Sequence, residues 1–518
     1  MSPFAAGEFH SASAVRFRVA VRNGILTRER AVLPWRRAAR RFLSGAWPAL
    51  FFILLSSYSP ALSAATSLPD QSALAAGGEP AKFLLNDVYA GLSGVKRGEV
   101  RKLRVVETTA RASGAPQGGP WWKQSFLVSW QGADNVKNFL GVVPVEADGS
   151  VCFEAPPGRA LSFQALDKDG RLIRAMRTTV SAAPGVTRSC HGCHARDYSA
   201  PPAPLAAQKP PAQIKPESWG RGGIDYPTMI QPILDAYCVK CHGGEDGIAA
   251  GLDYSGGWTW AFNISYETML KNSLTGFLNG ENSASAASES LSARKQGSAV
   301  APLAEQLASG HHGRLRELPQ SSLDLLLAWM DGNCGYHGNW DYSEHATCDA
   351  ILPLRDKLLT AMDQAGCLRC HQKEIGSDWI NLAAPEYSRL LRAPLAKDPR
   401  GLALSWCRDR PARRVRWPLI TMKQQAPDVL KPARVLAPKL EGPIVRPFPD
   451  TEAPGYRSLL AIIQQGREEA LQKPRVDMPG AVIIHGQGRP IPPLPAVQPG
   501  SNPHPGSPPL RAEGPTGK

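Results

Sequence analysis

Leu140-Gly141-Val142-Val143-Pro144-Val145, a turn at Asp148-Gly149, Val151-Cys152-Phe153-Glu154, a bend at Pro156-Pro157-Gly158, then Leu161-Ser162-Phe163-Gln164-Ala165-Leu166. This run from 140 to 166 decides the fold of the first half of the chain. β-Branched and aromatic residues alternate with polar ones, and turn residues interrupt them about every ten positions, which is the pattern of short antiparallel strands. Upstream, Phe126-Leu127-Val128-Ser129-Trp130 has the same character; downstream, Asp169-Gly170 turns into a further strand from Leu172. The spacing predicts a β-sandwich-like domain over roughly 80–200.

Directly after its last strand stands Cys190-His191-Gly192-Cys193-His194. The same Cys-x-x-Cys-His pattern recurs at Cys238-Val239-Lys240-Cys241-His242 and at Cys367-Leu368-Arg369-Cys370-His371. Two thiols at this spacing can form thioethers to the two vinyl groups of one porphyrin, and the adjoining histidine is then held under the iron, so the pattern points to c-type haem. Three copies use six of the ten cysteines, which chance does not supply. Zinc is the competing reading of a Cys-x-x-Cys pair, but it takes four ligands, and no second Cys or His pair lies at a usual distance from any copy. The expectation is three covalently bound haems c, on Cys190 and Cys193, Cys238 and Cys241, and Cys367 and Cys370, with His194, His242 and His371 as axial ligands.

Beyond the sandwich the texture changes. Pro201, Pro202, Pro204, Pro210, Pro211 and Pro216 predict an extended linker over 201–220. Ile230, Ile233, Leu234 and Tyr237 then fall at helical spacing and lead into Cys238. Leu354, Leu358, Leu359 and Met362 lead into Cys367 in the same way. Further helices are expected at Leu323–Met330, opened by Ser321 or Ser322, and at Tyr456–Leu471. The fold class is therefore multidomain: the β-sandwich-like domain, then mainly α-helical cytochrome c-like segments at 221–348 and 349–480, then a Pro- and Gly-rich tail over 481–518 with too little apolar material to bury.

Arg36, Arg37, Arg40 and Arg41 precede a short apolar run from Ala46 to Leu55 and the small residues Ser63-Ala64-Ala65, the order of a secretory signal cleaved near Ala64 or Ala65. Ten apolar residues fall short of the ~20 needed to span a bilayer. Residues 1–65 are thus expected to leave, delivering a periplasmic or exported protein with no stable membrane span. The net charge of +14 does not indicate nucleic acid. Residues 1–45 hold nine arginines against Glu8 and Glu29, and the rest of the chain lacks a basic stretch interleaved with aromatics. Partners are expected among other redox proteins and periplasmic cytochromes. In an oxidising compartment Cys334 and Cys348 make a plausible disulfide; Cys152 and Cys407 are the remaining cysteines.

The second axial ligand of each iron decides its chemistry, because a strong one gives an electron-transfer haem and an open face gives a reactive one. His311, His312 and His337 flank the helix after the second motif and are the better histidine candidates. Met478, in Arg475-Val476-Asp477-Met478-Pro479-Gly480, is the candidate methionine for the third haem.

Gly141–Glu146 with Asp148-Gly149-Ser150, Phe163–Asp167, Met176-Arg177 and the first motif together resemble the middle domain of hydrazine synthase alpha subunits. Trp329-Met330-Asp331 with His337-Gly338, Trp379–Leu382 with Pro385–Ser388, and Arg475–Gly480 extend the likeness over roughly 83–480. The resemblance implies a role for Tyr198. In that family's active haem a tyrosine four residues after the motif histidine binds the iron while the histidine turns to zinc, and Tyr198 stands four residues after His194. A tyrosinate haem is five-coordinate and reactive. The family also carries a β-propeller, which supplies zinc partners and is not expected here, so zinc at His194 stands as the lesser expectation. The leading expectation of function is an exported three-haem cytochrome that transfers electrons. The alternative is a haem enzyme acting at the first haem, with Tyr198, on a small nitrogen or oxygen species, hydrazine synthase-like without making hydrazine.

Overall fold

In a computed structural model, residues 79–109, 128–130, 135–193, 203–243, 249–278, 292–311, 313, 317–343, 354–369, 371, 375–396 and 447–485 are described. The signal segment, His194, Tyr198, His312, Cys348, Cys370 and Cys407 lie outside them.

The alternation around 140–166 produces strands. β1 (Ala81–Leu85), β4 (Val151–Ala155) and β7 (Thr187–Cys190) form one sheet in the order β4-β1-β7. β2 (Lys102–Thr108), β3 (Lys137–Pro144), β5 (Leu161–Leu166), β6 (Leu172–Ala175) and β8 (Gly222–Gly223) form the other, ordered β6-β5-β2-β3-β8. Every second residue of β1 and β4 is buried, as the two-residue period of a strand requires. Both sheets contribute to one core, in which the rings of Phe83, Phe153 and Phe163 lie 5.5–5.6 Å apart. At the turn, Asp148 accepts hydrogen bonds from the Ser150 amide (3.0 Å) and hydroxyl (2.6 Å), while Gly149 takes φ +86°.

The β2–β3 pairing slips one residue at Val105/Val106, opposite Gly141. Gly141 has φ +131°, and a Cβ there would stand 2.1 Å from the Lys215 carbonyl. The bulge thus needs a glycine both for its backbone angle and for the chain that crosses it. That crossing chain belongs to the proline-rich stretch, which does not run free as a spacer. Ala212 bridges Phe153, Lys215 bridges Val142, and Ala206 is buried. Leu205–Gln208 makes one 3-10 turn that buries Ala206, and beyond it the chain runs extended beside the sheets, where Ala212 and Lys215 find ladder partners.

Val128–Trp130 departs from the expected strand. It bends, and the Val128 carbonyl accepts from Tyr336 (2.8 Å) and His337 (3.2 Å) instead of from a neighbouring strand.

The later half is helical. α1 (Gln231–Tyr237) runs into the second motif, followed by α2 (Ile264–Lys271), α3 (Pro302–Ala308) and α4 (Gln320–Asp331). α4 begins earlier than its serines suggest, from Pro319, with no side-chain cap. β9 (Tyr342–Ser343) precedes α5 (Arg355–Gln364), which leads to the third motif; a single turn, α6 (Arg389–Arg392), and the long α7 (Pro454–Gln472) follow. The tail expected from 481 is ordered as far as His485, because β10 (Ile483–Ile484) pairs with β9.

A second apolar core gathers Tyr226, Tyr266, Tyr336, Phe262 and Trp329; a third gathers Leu358, Met362, Phe448, Tyr456, Leu459 and Met478. The sandwich is tied to the second core by a buried charge. Arg104 on β2 donates to Glu217 (2.7 and 2.9 Å), to Asp331 at the end of α4 (2.9 Å) and to Gln164 on β5 (2.9 Å). Among the described residues, sheets in the first half, helices in the second, three large cores and a small fourth around Val128, Val136, Trp340 and Tyr342 give the chain its multidomain character.

Candidate haem-attachment sites

The first motif grows out of a sheet. Cys190 is the last residue of β7 and pairs with Leu85 of β1; its carbonyl accepts from the Asn86 amide at 2.9 Å. Gly192 lies so close to the loop after β1 that a Cβ there would stand 2.5 Å from Ala90. Cys190 and Cys193 are separate thiols packed against the sandwich core. Burial pushes the Cys193 thiol up to about 11, against the pull of Arg174 on β6.

The second and third motifs share a different local geometry. At the second, the Cys238 amide donates to Leu234 (2.7 Å), closing α1, and the His242 amide returns to the Cys238 carbonyl (2.9 Å). At the third, the His371 amide returns to the Cys367 carbonyl (3.0 Å). A turn that begins on a helix end therefore carries the histidine back over the first cysteine in both. Burial pushes the Cys238 thiol up to about 11.

Around His242 the structure assembles more than the sequence suggested. Its Nδ1 lies 3.1 Å from the Ala249 carbonyl, and Tyr254 packs on its ring at 4.8 Å between centroids. His311 lies 6.0 Å away, centroid to centroid, with the two rings inclined at 40°. His311 is carried there just past α3: Gly310 turns at φ +71°, His311 itself adopts φ +43°, and its amide bonds to Gln306 at 2.9 Å. No spacing rule links positions 242 and 311. The hint was only the composition of the segment after the motif.

His337 has a different setting. It is buried, lies edge-on to Tyr336 at 4.9 Å, and faces Asp477, Asp225 and Arg475; burial holds its pKa below the usual imidazole range. His371 has Trp379 edge-on at 5.3 Å. Met478 is buried in the third core, the cluster against which Cys367, Leu368 and Trp379 also pack. Tyr254 and the Ala249 carbonyl escaped the sequence reading, and Trp379 entered it only through the family likeness, because a packing partner or a backbone acceptor leaves no pattern of its own. Among the described residues no group of three or more His, Cys, Asp or Glu side chains is gathered so as to hold a metal ion.

With the geometry in place, comparison with known proteins adds one firm relationship. Residues 98–195 match the family model described as the hydrazine synthase alpha subunit middle domain. Among solved structures the chain is similar to Kuenenia stuttgartiensis hydrazine synthase, at 14% identity and a TM-score of 0.36, over 50% of this chain and 44% of that one. The chain thus spans less than half the length of that structure. No curated protein matches the chain. From β2 through the first Cys-x-x-Cys-His motif, this protein resembles the middle domain of hydrazine synthase alpha subunits.

Proposed function

We propose that the chain is an exported c-type cytochrome that carries three covalently attached haems and passes electrons between periplasmic redox partners. The observation that carries this reading is the pairing of His242 with His311. At 6.0 Å between ring centroids the two imidazoles are close enough that a single metal ion could be held by both. The Ala249 carbonyl engages His242 Nδ1 and leaves Nε2 for iron, the usual way an outer hydrogen bond sets a ligating histidine's tautomer and direction. Haem held by two imidazoles supplies a one-electron carrier with no vacant face. Cys190, Cys193 and Cys238 are thiols available for thioether bonds, and Tyr254 covers His242 on the protein side.

The first motif supports a second reading. It is borne by a strand, unlike the other two, and it closes the region that matches the hydrazine synthase model. With Tyr198 as ligand this haem would keep an open face for a small nitrogen or oxygen species, fed with electrons from the other two.

Expression in a host that attaches c-type haem, followed by pyridine haemochrome analysis, is expected to give three haems per chain, and two in a Cys238→Ser/Cys241→Ser variant. Zinc without haem would end the proposal. Nitric oxide binding to one ferrous haem in three, altered by Tyr198→Phe, would favour the enzyme; no binding leaves electron transfer.

A further inference from the structure

The loop that follows α7 is held by a clamp far stronger than a surface turn needs. Arg475 is 7% exposed, and its guanidinium makes five hydrogen bonds. Nη1 donates to the carbonyls of Thr259 (2.9 Å) and Trp260 (2.7 Å), Nη2 to Phe262 (2.9 Å) and to Asp477 Oδ2 (2.9 Å), and Nε to Asp477 Oδ1 (2.9 Å). A guanidinium has five N–H groups, so its capacity is fully used. Asp477 Oδ2 also accepts from the Tyr336 hydroxyl at 2.8 Å, inside the aromatic core of the second segment. The next residue is Met478. Its amide bonds back to the Arg475 carbonyl at 2.9 Å, and its side chain is buried in the cluster against which the third motif's Cys367 packs.

Burying an arginine–aspartate pair costs desolvation that the pair itself scarcely recovers, so such a pair adds little stability over apolar packing. What it does provide is position. A bidentate pair with three further backbone contacts fixes residues 475–478 against the 259–262 loop. Resting on the haem reading above, we infer that Arg475 and Asp477 are positioning residues that present the Met478 thioether to the third haem as its axial ligand. The same clamp fastens that ligand to the second segment through Tyr336. A His/Met ligand set raises a haem's reduction potential. The third haem is then the high-potential member beside the His242/His311 haem, and electrons run downhill from the second motif to the third.

The test is spectroscopic and potentiometric, on the full-length protein with haem attached. Ferric protein is expected to show the weak far-red charge-transfer band of a Met-ligated haem, with one of three potentials well above the others. Met478→Leu, close in volume, is expected to keep three haems, lose the band and drop that potential alone. Arg475→Gln and Asp477→Asn are expected to weaken or lose the band, whereas Arg475→Lys, which keeps the charge, restores part of it. Three haems with no far-red band, or a band that survives Met478→Leu, overturns the inference while leaving the haem reading standing. A folded Arg475→Gln protein with unchanged band and potentials reduces the clamp to a structural tie. A chain without haem brings down the functional reading itself.

Discussion

Arg104→Met is expected to lower the unfolding free energy by about 3–5 kcal/mol, the loss typical of removing one partner from a buried ion pair. Arg104 and Asp331 are both sealed from solvent, and Glu217 nearly so. Methionine fills the space of the alkyl stem but leaves the Glu217 and Asp331 carboxylates without the cation they share. Asp331 would keep its bond from the Ser298 amide at 2.8 Å, which is too little to hold a buried charge. Even with Arg104 present, burial pushes the Asp331 carboxyl above its ordinary range, against the pull of the guanidinium. Without Arg104 that carboxyl rises further and takes up a proton in the folded state. A folded-state pKa above the unfolded value means stability is present at low pH and lost as pH rises through it. The variant's deficit should therefore be larger at pH 8 than at pH 5. Urea unfolding at the two pH values measures this, and Arg104→Met/Asp331→Asn should recover part of the loss. An equal deficit at both pH values would show that Asp331 is not the group left exposed to the change.

His311→Gly is expected to convert one low-spin haem in three to a high-spin or ligand-exchangeable form, with the haem count unchanged at three. Glycine is the better replacement, since residue 311 adopts φ +43° and alanine would add strain there. The ferric electron paramagnetic resonance spectrum should gain a high-spin signal, and one ferrous haem should begin to bind carbon monoxide. The potential of that haem should also move, because its axial ligand has been replaced by water or by nothing. His312→Gly serves as the control. If it produces these changes and His311→Gly does not, the neighbouring histidine is the ligand. If neither does, the 6.0 Å approach of His242 and His311 is packing alone.

Much of the fold was legible in short-range pattern. The Asp148-Gly149 turn, the two-residue alternation of β4 and the helical spacing into Cys238 and Cys367 are local signals, and local hydrogen bonding honours them. The proline-rich stretch was misleading for the opposite reason. Proline dictates an extended backbone but says nothing about what lies beside it, and here a bulged sheet does. The same holds for Val128, whose backbone pairs with residues two hundred positions away.

The sequence by itself placed the three Cys-x-x-Cys-His motifs and carried the expectation of attached haem, because two thiols and an imidazole on five consecutive residues need no tertiary fold to be recognised. It also determined where strands give way to helices, since each periodicity belongs to a single element. Only the tertiary structure decided which side chains face those motifs. His311 meets His242 because a glycine turn at Gly310 ends α3 there. Met478 enters the third core because Arg475 is bonded to three carbonyls of a loop more than two hundred residues earlier. Contacts across such separations are set by packing and by the need to pair buried polar groups, and neither leaves a local trace in the chain.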